Sequence, residues 1–189
     1  PIHFNAKYCF KAECQKVWLD NAKAKQWVKE KSKRKEKLGD TKKSAKNYLQ
    51  DEINKLSKMI DLAFNFVSCI DCNKPMNLIH AAHLHNVAGN ENIRYNLHNL
   101  HSARAHCNMY SSEHKVGYRV GLEKRYGLEY KNFVVFELPL KYKYIGLKSN
   151  EVKEALRITR KIIREFDNYK FKDGIEAREE FNKIIGIYL

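Results

Sequence analysis

The sequence predicts an α+β protein: a small core carrying a zinc knuckle, flanked by long basic N-terminal helices and C-terminal packing helices. Three observations lead there. Apolar residues recur at three- and four-residue intervals on both sides of the middle of the chain. That periodicity fails between Cys69 and Asn108, where Pro75, Gly89 and several asparagines mark loops and short strands. The same aperiodic stretch holds a Cys-x-x-Cys followed by a crowd of histidines.

At 189 residues with 43% hydrophobic residues, the chain holds one domain of ordinary size plus an extension. Its 36 Lys and Arg against 22 Asp and Glu give a formal charge of +14, so its field attracts polyanions. Nucleic acid is the first partner to consider. No run of about 18 apolar residues occurs, and the opening PIHFNAKYCF lacks the order of a signal peptide. A cytoplasmic protein with no membrane partner is expected. Because the chain starts at Pro1, trimming of an upstream segment is also expected. The five cysteines, Cys9 with Cys14, Cys69 with Cys72, and Cys107 alone, suit metal binding better than a disulfide framework.

Residues 17–67 read as a basic helical arm. Val17, Trp18, Ala22, Trp27 and Val28 recur at roughly helical intervals, while KEKSKRKEK carries charge on every face. Gly39 and Asp40 interrupt this helix, and Asp40 or Thr41 caps a second one. Its stripe of Leu49, Ile53, Leu56, Ile60, Ala63 and Val67 runs to about Phe66. Lys33, Arg34, Lys35, Lys42 and Lys43 are expected to grip DNA backbone without reading sequence, which makes binding steeply salt-dependent. Residues 68–130 carry the chemistry, with a helix from Met109 to Tyr126 stopped by Gly127. In the C-terminal helical region, 131–189, NFVVFEL is a strand or a short buried run. Val152, Leu156, Ile162, Ile163 and Phe166 then share a helical face, and residues 175–187 repeat the pattern.

In Cys69-Ile70-Asp71-Cys72 a tight turn aims two thiolates at one ion. Zinc prefers four ligands; Cys107 is the third, and His101 or His106 is a candidate fourth. Just beyond, IHAAHLH concentrates His80, His83 and His85. Each neutral imidazole needs a donor and an acceptor satisfied, so three buried together without partners would be costly.

The ordered set of Cys69-x-x-Cys72, His80-Ala-Ala-His83, RYNLHNLH (94–101), Cys107-Asn108, Tyr118-Arg119, Leu122 and Arg125-Tyr126-Gly127 resembles the NinG/Rap family of phage recombination endonucleases. That family looks like a branch of the HNH, or ββα-metal, nucleases, which include endonuclease VII-type resolvases. The resemblance covers residues 69–130 well, and implies a ββα-metal core there. More weakly, residues 1–16 resemble the second half of the family's N-terminal zinc finger, whose first cysteine pair this chain lacks.

Carried over by position, the resemblance makes His83 the general base and Asn99 the asparagine that pins the loop between the two strands. His80 and Asn108 become ligands of a catalytic Mg2+ or Mn2+, distinct from the structural Zn2+ of Cys69, Cys72, Cys107 and, as one option, His106. His85 resembles a histidine of the endonuclease VII site. His114 is an additional ligand, a phosphate contact or a plain surface residue. Arg94, Arg119 and Arg125 match basic positions of the pattern, which makes Arg94 and Arg119 DNA-binding candidates, or equally make helix-surface ion pairs. Where the family has a second Cys-x-x-Cys, this chain reads Arg104-Ala-His-Cys107, and arginine cannot ligate zinc.

The chemistry of phosphodiester hydrolysis suits these roles. It needs a base to deprotonate water and a cation to hold the phosphate, and a histidine neutral near pH 7 serves as the base. By strand alternation His80 and His83 face opposite ways, so a shared site calls for a bend or bulge, which the small Ala81 and Ala82 permit. The expected function is a metal-dependent endonuclease acting on branched DNA such as Holliday junctions and D-loops, leaving 5′ phosphate and 3′ hydroxyl ends. Paired cuts in symmetry-related strands would favour a homodimer. The alternatives are an HNH nuclease acting on linear duplex DNA and a zinc-stabilised DNA-binding module without catalysis.

Overall fold

A computed structural model describes residues 12–110, 114–143 and 146–188. Cys9 and most of the finger-like N-terminus lie outside the described residues. Lysine, alanine and glutamate, all good helix formers, dominate the chain up to Ala63 and build α1, Ala12–Ala63. The expected break at Gly39 and Asp40 does not occur, and one helix stands where two were expected. A single interior glycine costs only about 1 kcal/mol relative to alanine, which the strong formers around it offset. The chain divides into two compact units, 1–44 and 45–189. In the first, every side chain described is exposed, Trp27 and Val28 included.

In the second unit, Ala45, Leu49, Ile53, Leu56 and Ile60 are buried at three- and four-residue spacing, one apolar stripe of α1. The stripe stops there, because Ala63 and Val67 are exposed. It packs into one core cluster with Val152, Ala155 and Ile162 of α6 (Ser149–Arg164) and Ala177, Phe181 and Ile185 of α7 (Gly174–Ile185). Asp173 caps α7, its carboxylate accepting from the amides of Ile175 and Glu176.

Between the long helices sits a two-stranded antiparallel hairpin, β1 (Ile79–His83) with β2 (Leu100–Arg104). The connection runs through three short 3-10 turns. Directly after β2 comes α2, Ala105–Tyr110, giving the order strand, strand, helix. Ala81 packs toward the first cluster, whereas Ala82 belongs to a second one with Ile70, Leu84, Ile93, Ala103, Tyr118 and Leu122. The hairpin therefore has apolar packing on both faces.

The second cluster is completed by α3 (His114–Tyr126) and α4 (Leu128–Asn132), joined at Gly127 with φ of 89°. NFVVFEL forms neither strand nor α-helix but one π-helical turn, Phe133–Glu137, leading into α5, Leu138–Lys141. Val134, Val135 and Leu138 are its buried residues, a helical interval that a short apolar run does not reveal by pattern alone.

A buried polar knot ties these parts together. Asp61 of α1 accepts from the Ser102 amide of β2 (2.5 Å), from Arg178 Nη2 of α7 (2.6 Å) and from the Tyr126 hydroxyl (3.2 Å). Asp61 and Arg178 are both fully buried, so their charges compensate one another where water cannot.

Candidate metal centre and adjoining histidine cleft

The Sγ atoms of Cys69, Cys72 and Cys107 lie within 4.8 Å of one another, the sole such group of metal-type ligands among the described residues. Zn–S bonds of about 2.3 Å in a tetrahedron place sulfurs about 3.8 Å apart, so three thiolates could hold a zinc-like ion here. The Cys69–Cys72 turn is shaped by its backbone: the Cys69 amide donates to Lys74 O (2.9 Å), and the Asn73 amide to Cys69 O (2.9 Å). Asn73 adopts a left-handed φ of 54°, a conformation asparagine tolerates. Cys107 arrives from the first turns of α2 and donates to Cys72 Sγ at 3.5 Å.

Arg104 meets this centre as a donor, not a ligand. Its amide points at Cys69 Sγ (3.2 Å), and its guanidinium lies 4.0 Å from Cys72 Sγ. Burial pushes both thiols up, but for Cys72 it is outweighed by bonds from the Lys74 backbone, Cys107 and Arg104, which lower it overall. Cys107, desolvated and facing the other two sulfurs, is pushed up to about 12. Neither histidine considered as a fourth ligand joins the trio. His106 is exposed, and His101 is buried elsewhere with Nδ1 2.9 Å from the Tyr118 hydroxyl. Since that hydroxyl donates to Ala82 O (3.0 Å), His101 Nδ1 carries the proton and Nε2 is left as a buried acceptor without a partner.

The backbone of α3 presses against the knuckle. A Cβ on Gly121 would fall 1.6 Å from Ile70 O, and one on Gly117 would fall 1.8 Å from Asp71 Oδ1. Only glycine allows the helix so near the turn.

On the other side of the hairpin, an open cleft of about 420 Å3 is lined by His80, Ile79 and Ala81 of β1, Asn108 of α2, and Asp51, Asn54 and Lys58 of α1. His80 and Asn108 thus come to one place, a nitrogen and an oxygen donor with open space beside them. β1 keeps an unbroken register with β2, so no bulge is involved. His83 lies nearby on the same helix's flank: its Nε2 is 3.1 Å from Arg94 O and 3.5 Å from Gln50 Nε2, and Gln50 in turn donates to Asn54 of the cleft wall (2.9 Å). A carbonyl oxygen can only accept, so Nε2 carries the proton and Nδ1 holds a lone pair. Burial, with the Arg94 charge adding to it, holds the His83 pKa below the usual histidine value despite the bond to Arg94 O.

Asn99 grips the loop after β1 from both sides, accepting from the His85 amide (2.8 Å) and donating to His85 O (3.1 Å). His85 Nε2 donates to Val134 O (2.8 Å), and burial, together with Lys115 and Arg119, keeps that ring neutral. A sequence profile of the family described as Bacteriophage Lambda NinG protein matches residues 4–168, most of the chain. The chain belongs to the NinG family. No curated protein and no solved structure matches it.

The remaining candidate residues of this NinG protein are dispersed. Arg94 donates to Gln50 Oε1 (3.0 Å) and stacks on Tyr95, and so braces His83 from behind. Arg119 is exposed on α3. Lys33, Arg34, Lys35, Lys42 and Lys43 all fall on α1, but their side chains, like that of His114 at the start of α3, lie outside the described residues. Among the described residues no helix is long and apolar enough to cross a membrane. Sequence reasoning passed over Asp51, Asn54 and Lys58 of the cleft, because they sit on α1 far from any motif. It also passed over Gly117 and Gly121, whose four-residue spacing on a helix was the available signal.

Proposed function

We propose that this NinG protein is a metal-dependent endonuclease of HNH type that cuts branched recombination intermediates, Holliday junctions and D-loops among them. The observation that carries this reading is the pairing of a half-buried, neutral His83, its Nδ1 lone pair unused, with a neighbouring cleft that gathers His80 and Asn108. These two donors supply part of the coordination of a hard ion and leave positions for a further protein ligand, water and phosphate. Bound there by His80 and Asn108, Mg2+ or Mn2+ would polarise the phosphate and stabilise the departing 3′ oxygen.

His83 takes a proton from the attacking water at Nδ1, while the Nε2–H bond to Arg94 O fixes the tautomer and stabilises the imidazolium that forms. Asn99 holds the loop beyond His83 in place through both backbone groups of His85. The three-cysteine centre, loaded with zinc, anchors the start of α2 and with it Asn108. Lysines of α1 contact DNA backbone, and paired cuts are made by two copies of the chain.

The test is cleavage of a four-way junction, a D-loop and matched linear duplex with Mg2+ or Mn2+, comparing the native chain with His83→Ala of unchanged circular dichroism. Junction-selective cutting that the substitution abolishes is expected. Equal cutting of all three substrates would remove the preference for branches, and tight binding without His83-dependent cutting would leave a DNA-binding module.

A further inference from the structure

The cleft beside β1 offers two donors that bring no negative charge, His80 and Asn108, in a chain of net charge +14. Lys58 lines the same space. A dication held only by neutral donors beside an ammonium would be electrostatically disfavoured, and Mg2+ and Mn2+ bind protein chiefly through carboxylates. One carboxylate lines the cleft, that of Asp51. Asp51, Asn54 and Lys58 are three and four residues apart and so share a face of α1 opposite β1.

The neighbours of Asp51 are committed elsewhere: Gln50 bonds Asn54 and Arg94, and Glu52 pairs with Arg160 at 2.8 Å. Asp51 itself is exposed and forms no ion pair or hydrogen bond with any described residue. It has no part in the core, and no described cation neutralises it. We propose that Asp51 is the third protein ligand of the divalent ion, completing with His80 and Asn108 a site that α1, β1 and α2 each supply in part. Lys58, on the same face two turns on, then holds the phosphate that the ion contacts. The proposal rests on the nuclease reading and gives the helix preceding the knuckle a direct share in its chemistry.

The experiment is Mn2+ binding to the full zinc-loaded chain without DNA, read from the loss of the free-ion electron paramagnetic resonance signal. Asp51→Asn is expected to weaken binding at least tenfold, Asp51→Glu to keep most of it, and His80→Ala to weaken it as strongly as Asp51→Asn. In junction cleavage, the Mn2+ concentration for half-maximal rate should rise by the same factor in Asp51→Asn. If Asp51→Asn binds like the native chain while His80→Ala does not, the Asp51 assignment fails and the nuclease reading stands. If the native chain binds no Mn2+, or binds it regardless of His80, both fail.

Discussion

Gly121→Ala tests whether the close approach of α3 to the knuckle is what shapes the cysteine centre. The new Cβ would sit 1.6 Å from Ile70 O and 2.7 Å from its carbonyl carbon. Carbon approaches a carbonyl oxygen no closer than about 3.3 Å, so helix and turn must separate by about 1.7 Å. The obstacle is backbone between two cysteines, not a side-chain tip that could swing aside. Overpacking of this kind costs about 3 kcal/mol, while alanine returns about 1 kcal/mol of helix propensity, leaving a net loss of about 2 kcal/mol. Urea denaturation should show this loss, and zinc measured by elemental analysis should fall with it. Gly89→Ala, where a Cβ meets nothing within 4 Å, is the control and should stay within about 0.5 kcal/mol of the native chain. A Gly121→Ala protein with native stability and full zinc would refute the argument.

The pH dependence of cleavage follows from His83, whose pKa burial lowers: the acid limb of kcat/KM should lie below the ordinary histidine value of about 6.5, and a limb above it would exclude His83 as the base. Stability should respond to pH through His101, fully buried and held well below its ordinary value. His83, His85 and His98 are lowered too, so below about pH 6.5 the unfolded chain binds more protons than the folded one; stability is flat above that and falls below it by up to about 1.4 kcal/mol per pH unit for each ring, measured by urea melts across pH 5–8. Arg178→Met strands the Asp61 carboxylate and should cost about 3–5 kcal/mol, whereas joint replacement of Asp61 and Arg178 by apolar residues should cost clearly less; equal losses would mean the charges are not coupled.

Much of this arrangement was legible in the sequence where a local pattern stood for a local cause. The Leu49–Ile60 stripe marked the buried face of α1, and the Cys-x-x-Cys marked a turn that brings two sulfurs together, because each depends on residues a few positions apart. Gly39 misled, since a one-residue helix penalty is small against long flanking runs of helix formers. The π-turn at Phe133–Glu137 was hidden because five apolar-rich residues fit a strand or a helix equally well. Asp61 with Arg178, and Asp51 opposite His80, join residues far apart in the chain, and no spacing rule connects them. The histidines divide on the same ground. His98 and His101 look as available as His83 in sequence, yet His98 is buried between the Tyr130 hydroxyl and Glu179, and His101 against Tyr118.

Arg104 offers the sharpest test of how the cysteine centre makes do with three sulfurs. Its amide already points at Cys69 Sγ from 3.2 Å, so the start of its side chain stands at the edge of the trio, three residues before Cys107. Arg104→Cys would supply a fourth thiolate in a second Cys-x-x-Cys, the ligand set zinc prefers in structural sites. It would also remove the guanidinium 4.0 Å from Cys72 Sγ, whose positive charge favours thiolate there but repels a dication. Four thiolates carry one more negative charge than three, and the added Zn–S bond should outweigh the lost counter-charge. Competition with a chromophoric chelator should therefore show zinc held at least tenfold more tightly in Arg104→Cys, or about 1.4 kcal/mol. Arg104→Ala removes the cation without adding sulfur and should leave affinity within about threefold of native, a change of about 0.7 kcal/mol. If Arg104→Cys binds no more tightly than Arg104→Ala, the backbone of β2 does not direct residue 104 at the ion, and the centre is a three-sulfur site by geometry rather than by the loss of one ligand.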